Sequence, residues 1–95
     1  MDILRDNQIK WTLHALSRMR KRKISPDAVI NTIQSGDVIK HYHDDKPFPS
    51  WLIYNNDSKL PLHVVASTDG KSTYIITTYQ PSLDEWEDDY KTRKG

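Results

Sequence analysis

Gly36 divides this chain into two kinds of order. Before it, apolar residues recur at helical spacing. After it, they alternate with polar ones in short runs bounded by Pro, Gly, Asn and Asp. Segregated elements of this kind imply an α+β fold in which helices cover one face of an antiparallel sheet. The other face is then solvated or binds something.

Local signals set the boundaries. Thr12 suits the N-cap of a first helix over about 13–22, with Leu13, Leu16 and Met19 on its apolar face. In Ser25-Pro26-Asp27, Ser25 caps, Pro26 fits the first helical position and Asp27 complements the dipole. The second helix then runs to about Ser35, turning Val29, Ile30 and Ile33 to the core, and Gly36 ends it as the C′ residue. Four strands follow, over about 38–43, 51–55, 62–68 and 73–80, with turns at 44–49, 56–59 and 69–70 between them. Ile9 and Trp11 alternate with polar neighbours and suit a brief edge strand. After Pro81, Ser82 caps a last helix in which Leu83, Trp86 and Tyr90 share a face. The expected architecture is therefore two N-terminal helices, a four-stranded antiparallel meander and a C-terminal helix. It forms one domain over 1–95, with 1–8 as a flexible arm.

Composition narrows the function classes. The chain of 95 residues has no cysteine, hence no disulfide framework and no thiolate metal site. No apolar run approaches the roughly 20 residues that span a bilayer, and the N-terminus lacks the apolar core of a signal peptide. These features fit a cytoplasmic protein with no membrane partner. The net charge of +1 hides an asymmetry. Residues 18–23 hold five basic side chains in six, and residues 84–89 hold five acids in six.

The basic run begins on a helix that also carries His14, Arg18 and Arg22, spaced four apart along one face. An imidazole beside two guanidiniums suits a phosphodiester. Arginine stabilises the extra charge of a pentacoordinate phosphorus, and histidine moves a proton. A solvated salt-bridge helix is the plainer alternative. Arg20 and Lys21 point elsewhere and supply general steering charge. His63 lies in the otherwise apolar run Leu62-His63-Val64-Val65. It is either a hydrogen-bonded structural residue or the second of two histidines that RNA cleavage needs as base and acid. Thr78 and Tyr79 face opposite sides of the last strand, and a one-residue slip decides which of them meets His63. Tyr42, Trp51 and Tyr54 are either core or a base-stacking platform. His41 and His43 share a strand face without a third metal ligand at a sensible spacing, so no metal is expected. No Gly-rich phosphate loop is present, and no cofactor is expected.

The runs H-A-L-S-R-M-R-K-R-K-I-S, G-D-V-I-K, P-L-H-V-V and I-I-T-T-Y-Q-P, in this order, resemble a family of small uncharacterised bacterial domains. That family looks related to RelE- and MqsR-like toxins, which are metal-independent ribonucleases, and its genes commonly lie beside YgiT-type zinc-finger antitoxin genes. The resemblance covers about 9–93. It implies a RelE-like fold and places the family's helix histidine and arginines on His14, Arg18 and Arg22. Its strand histidine falls on His63, its last-strand tyrosine on Tyr79, and its C-terminal pattern on Trp86, Asp89 and Arg93. The family usually has glycine where this chain has Lys23. If the backbone is left-handed there, lysine costs about 1 kcal/mol.

The expected function is that of a type II toxin–antitoxin toxin, an mRNA interferase cleaving through the 2′-hydroxyl. In it, His14 and His63 act as base and acid in either order, Arg18 and Arg22 hold the phosphate, and Tyr79 stacks on a base or orients the backbone. Arg20, Lys21 and Arg93 contact RNA. The partners are mRNA, free or ribosome-bound, and a cognate antitoxin of the YgiT type. The alternative is a non-catalytic RNA- or protein-binding module.

Overall fold

The computed structural model describes residues 8–56 and 61–95. The arm expected over 1–8 lies outside the described residues except for Gln8, and the turn at 56–59 except for Asn56. Seven elements follow in chain order: β1 (Gln8–Trp11), α1 (Leu13–Arg22), α2 (Pro26–Ser35), β2 (Asp37–Tyr42), β3 (Ser50–Asn55), β4 (Leu62–Thr68) and β5 (Ser72–Tyr79). The strands form one sheet in the order β1-β5-β4-β3-β2.

Both helices start on side-chain caps. The Thr12 hydroxyl accepts from the Ala15 N–H at 3.1 Å, and Ser25 accepts from Ala28 at 3.1 Å. Each cap satisfies one of the backbone donors that a helix start leaves without a partner. α1 ends at Lys23, which sits in the left-handed region at φ 57° and ψ 41°. Gly36 ends α2 differently from the expected C′ geometry, since its φ of −80° is open to any residue. Glycine is needed there for space. A Cβ would lie 2.5 Å from the Thr32 carbonyl oxygen and 2.7 Å from that of Tyr54.

The helices cover one sheet face. Ala15 and Met19 of α1, Ile24, and Val29 and Ile33 of α2 pack with Trp51, Ile53, Leu62, Val64, Ala66 and Ile75. Each fully buried Val, Ile, Leu or Met among them contributes about 1.5–3 kcal/mol, and the two alanines less. The buried stripe of α1 is only partly the expected one: Met19 is buried, but Leu13 is 86 % and Leu16 is 40 % exposed. Ala15 is buried in their place, and Arg18 is half-buried. Among the described residues, no helix is long and apolar enough to cross a membrane.

The expected four-stranded antiparallel sheet with three helices, and the RelE-like fold with it, is corrected on two counts. The sheet has five strands and is mixed, because β1 pairs parallel to β5 from Gln8↔Ser72 to Trp11↔Ile75. Strands β2 to β5 pair antiparallel in succession. Second, no helix follows β5 among the described residues. Residues 82–95 turn at Ser82–Trp86 and return through an antiparallel bridge between Trp86 and Arg93. The cause lies in Asp89. Its carboxylate accepts from the Lys91 and Thr92 N–H groups at 2.9 and 3.0 Å, giving the backbone an alternative to the helix ladder. Tyr90 beside it takes a positive φ of 57°.

Candidate active site

The register of β5 builds the site. Val65 pairs with Thr77 and Ala66 with Ile75, so Ile76 is an extra residue in a bulge. The bulge shifts the alternation by one residue. Thr73 and Ile75 face the helices before it, Thr78 is buried after it, and Tyr79 is set opposite His63 on the other face. The choice between Thr78 and Tyr79 is thus made by one inserted residue.

His63 is fully buried on this second face. Trp86 meets it edge-on with ring centroids 4.6 Å apart, and Tyr54 and Tyr79 flank it at 5.8 and 5.2 Å. Its Nε2 lies 2.7 Å from the Tyr90 carbonyl oxygen, which only accepts, so Nε2 carries the proton and donates. Nδ1 is then free to accept from the Tyr79 hydroxyl at 3.2 Å. Burial pushes the imidazole below its usual range, against a smaller opposing pull from the Tyr90 carbonyl. Burial likewise pushes the Tyr79 phenol up; nearby Tyr42 and Glu85 add to this, while Arg93 and Arg22 oppose it. The result is a neutral imidazole accepting from a neutral phenol.

Tyr79 borders a cavity of about 540 Å³ beyond the end of β5. Arg22, Glu85, Trp86 and Arg93 line it with Gln80, Pro81 and Ser82. Arg22 arrives from the last turn of α1 and donates from Nη1 to the Thr78 carbonyl at 3.0 Å. Arg93 arrives from the C-terminal segment, lies 5.6 Å from the Trp86 ring centroid and pairs with Glu85 at 3.2 Å. Two guanidiniums and a phenol therefore converge on one space from three parts of the chain.

The expected residues fall into two groups. Arg22, Tyr79 and Arg93 meet at the cavity, with His63 directly behind Tyr79. His14, Arg18, Arg20 and Lys21 do not line it. His14, Arg20 and Lys21 are exposed on α1, and Arg18 is half-buried. The structure does not bring His14 to His63. α1 packs on one face of the sheet, the His63 ring points to the other, and the ring's hydrogen bonds and aromatic contacts go to Tyr79, Tyr90, Trp86 and Tyr54. An acid–base pair made of these two histidines is not assembled. The second face is also less open than expected, because residues 82–95 lie across His63.

Sequence reading missed Glu85 and Tyr90. Glu85 is hidden in a run of acids, and Tyr90 contributes a backbone carbonyl that no side-chain pattern marks. His41 stacks flat on Trp51, with ring centroids 4.6 Å apart. Among the described residues, no cluster of three or more His, Asp or Glu is placed to hold a metal ion.

The sequence model of a family described as a domain of unknown function, DUF4258, matches residues 11–80. That span includes His14, Arg18, Arg22, His63 and Tyr79, and it stops before Glu85, Trp86 and Arg93. No curated protein and no solved structure matches the chain.

Proposed function

The chain belongs to the DUF4258 family, and we propose that it is a metal-independent endoribonuclease whose reacting tyrosine is backed by a buried histidine. One observation carries this reading: Tyr79 lines a cavity together with Arg22 and Arg93 while its hydroxyl is bonded to the sealed ring of His63. A purely structural strand position would favour an apolar side chain, because a buried imidazole must have its hydrogen bonds met. Here both nitrogens are met, one by a fixed carbonyl that holds the tautomer and one by a phenol at the cavity.

The chemistry follows from that order. The RNA 2′-oxygen attacks the neighbouring phosphorus. Its proton passes to the Tyr79 oxygen as the phenolic proton passes to His63 Nδ1. The O2′–P bond forms and the P–O5′ bond breaks; the departing 5′-oxygen takes a proton from water, and the hydroxide left is neutralised as His63 returns its proton through Tyr79. The products are a 2′,3′-cyclic phosphate and a 5′-hydroxyl. Arg22 and Arg93 balance the charge that grows on the phosphoryl oxygens, with Arg93 exchanging Glu85 for the phosphate. Tyr79 is the catalytic residue, and His63 positions it and receives its proton. Arg18, His14, Arg20 and Lys21 extend positive or hydrogen-bonding surface along α1 for the RNA backbone.

The resemblance to RelE- and MqsR-like toxins extends this to a toxin acting on mRNA, restrained in the cell by a cognate antitoxin of the YgiT zinc-finger type. A non-catalytic RNA- or protein-binding module is the second reading, favoured by the C-terminal segment that seals His63. The two separate on incubation with single-stranded RNA and with DNA of the same sequence, both in excess EDTA. The nuclease reading expects cyclic-phosphate ends on RNA, intact DNA, and a loss of at least a hundredfold in rate in Tyr79→Phe. Cleavage of DNA at a comparable rate, or full activity of Tyr79→Phe, refutes the mechanism. Binding without scission in the wild type favours the module.

A further inference from the structure

A second cavity, of about 350 Å³, lies on the other side of Trp86 and Arg93. Its walls are Ile39, Lys40, Tyr42, Leu52, Lys91 and Thr92, and it shares Trp86 and Arg93 with the Tyr79 cavity. Apolar and aromatic surface forms much of the wall. Three cations stand around it: Lys40 is 5.3 Å from the Tyr42 ring centroid, Lys91 is held by Asp37 at 3.0 Å, and Arg93 lies against Trp86. Such a wall suits a flat π-system joined to negative charge, which is the chemistry of a nucleotide.

We propose that this cavity is the subsite for the base of the nucleotide next to the scissile phosphate of a single-stranded RNA, with Tyr42 as its stacking platform. The inference rests on the endoribonuclease reading for the phosphate's place and adds where the adjoining base goes. Two observations favour RNA over an acidic peptide. The two cavities share a wall, so one chain of alternating phosphate and base fills both. Tyr42 ends the edge strand β2 half-buried, leaving part of its ring accessible. The bulge between Val38 and Lys40 contributes locally: it makes Ile39 an extra residue and pairs Lys40 with Leu52, placing lysine and leucine together at the cavity.

The test uses a short fluorescent oligonucleotide that is 2′-deoxy at the cleaved position, so that binding is read without turnover, and the same oligonucleotide abasic at the adjoining nucleotide. In the wild type, removing the base weakens binding about tenfold, the scale of one base–aromatic stack. In Tyr42→Ala the base-bearing oligonucleotide binds as weakly as the abasic one, and Tyr42→Phe restores wild-type affinity. A wild-type protein indifferent to the base, or a Tyr42→Ala variant that keeps the full base-dependent difference, overturns the subsite. So does competition by a hexaglutamate peptide that depends on Tyr42 when oligonucleotide binding does not. The underlying reading fails separately. If ordinary RNA is not cleaved while Tyr42-dependent binding persists, the nuclease assignment falls and the subsite stands. If RNA is cleaved while binding is independent of Tyr42, the subsite falls and the nuclease assignment stands.

Discussion

Protonation of His63 must work against the fold, and the size of that effect follows from its surroundings. The ring is fully buried, and burial holds it below its usual range. In the unfolded chain it takes a proton near its ordinary value of about 6.5. As pH falls through that value, the unfolded state gains a proton while the native state stays neutral. Stability is therefore fully present above about pH 6.5 and is lost as pH drops toward the depressed native value. Within this window the slope reaches at most about 1.4 kcal/mol per pH unit from this one group. A loss of 1 kcal/mol lowers Tm by about 4–8 °C in a domain of this size. Neighbouring groups leave the window clear. Tyr79 and Tyr54 are pushed above the usual tyrosine range by burial and stay neutral. Asp69 is held down to about 2 by the Ser72 and Lys71 N–H groups, and the Lys91 and Thr92 N–H groups hold Asp89 low, so what they contribute is lost only at lower pH. Urea unfolding followed by tryptophan fluorescence between pH 8 and pH 5 measures the slope, because Trp86 sits against the ring. His63→Gln starts less stable by about 1–3 kcal/mol at pH 8, since it loses shaped hydrogen bonds, and it lacks this part of the slope. An unchanged slope in His63→Gln refutes the reasoning.

Two further predictions concern the backbone. Lys23→Gly relieves a left-handed residue at the end of α1 and raises stability by about 0.5–1 kcal/mol; an unchanged or lower Tm counts against that cost. Gly36→Ala forces a methyl group against the Thr32 and Tyr54 carbonyls and Ile53 Cγ2, and lowers stability by about 1–3 kcal/mol; a neutral result in urea unfolding means that α2 and β3 separate easily.

The parts of this fold that were legible are those fixed by neighbours in sequence. Thr12, Ser25 and Pro26 mark helix starts because a cap acts within three residues. Two misreadings came from effects that act at a distance. Leu13 and Leu16 look like a core stripe, yet the sheet is met by Ala15 and Met19, whose smaller and more flexible side chains let α1 approach β5. The run from Leu83 to Tyr90 has helical spacing, but Asp89 offers its carboxylate to the backbone and Trp86 is drawn onto His63. The candidate site was half legible for the same reason. Arg22, His63 and Tyr79 stand out as residue types, whereas their meeting depends on a bulge at Ile76 that alternation alone does not mark.

The site also depends on how α1 is held against β5. The Thr12 hydroxyl does more than cap: it donates to the Ile75 carbonyl at 2.7 Å, just where β1 stops pairing with β5. Ten residues later Arg22 donates to the Thr78 carbonyl. Ten helical residues rise about 15 Å and three strand residues about 10 Å, so helix and strand run in the same sense, and the arginine reaches back over the difference. α1 is thus fastened at both ends to one strand. A short β1 is part of this arrangement, because a longer parallel strand would engage the edge that Arg22 now reaches. The parallel fifth strand, the cap and the arginine form one unit, and it ends at Tyr79. The same logic explains why Glu85 sits among cations. With Arg22 satisfied in part by a carbonyl, Arg93 is the guanidinium whose ion pair is exposed on both sides, at 66 % and 61 % of the side chains. An exposed pair of this kind is worth at most about 1 kcal/mol. A phosphate displaces it at little cost, so Glu85 keeps Arg93 in place without closing the cavity to an anion.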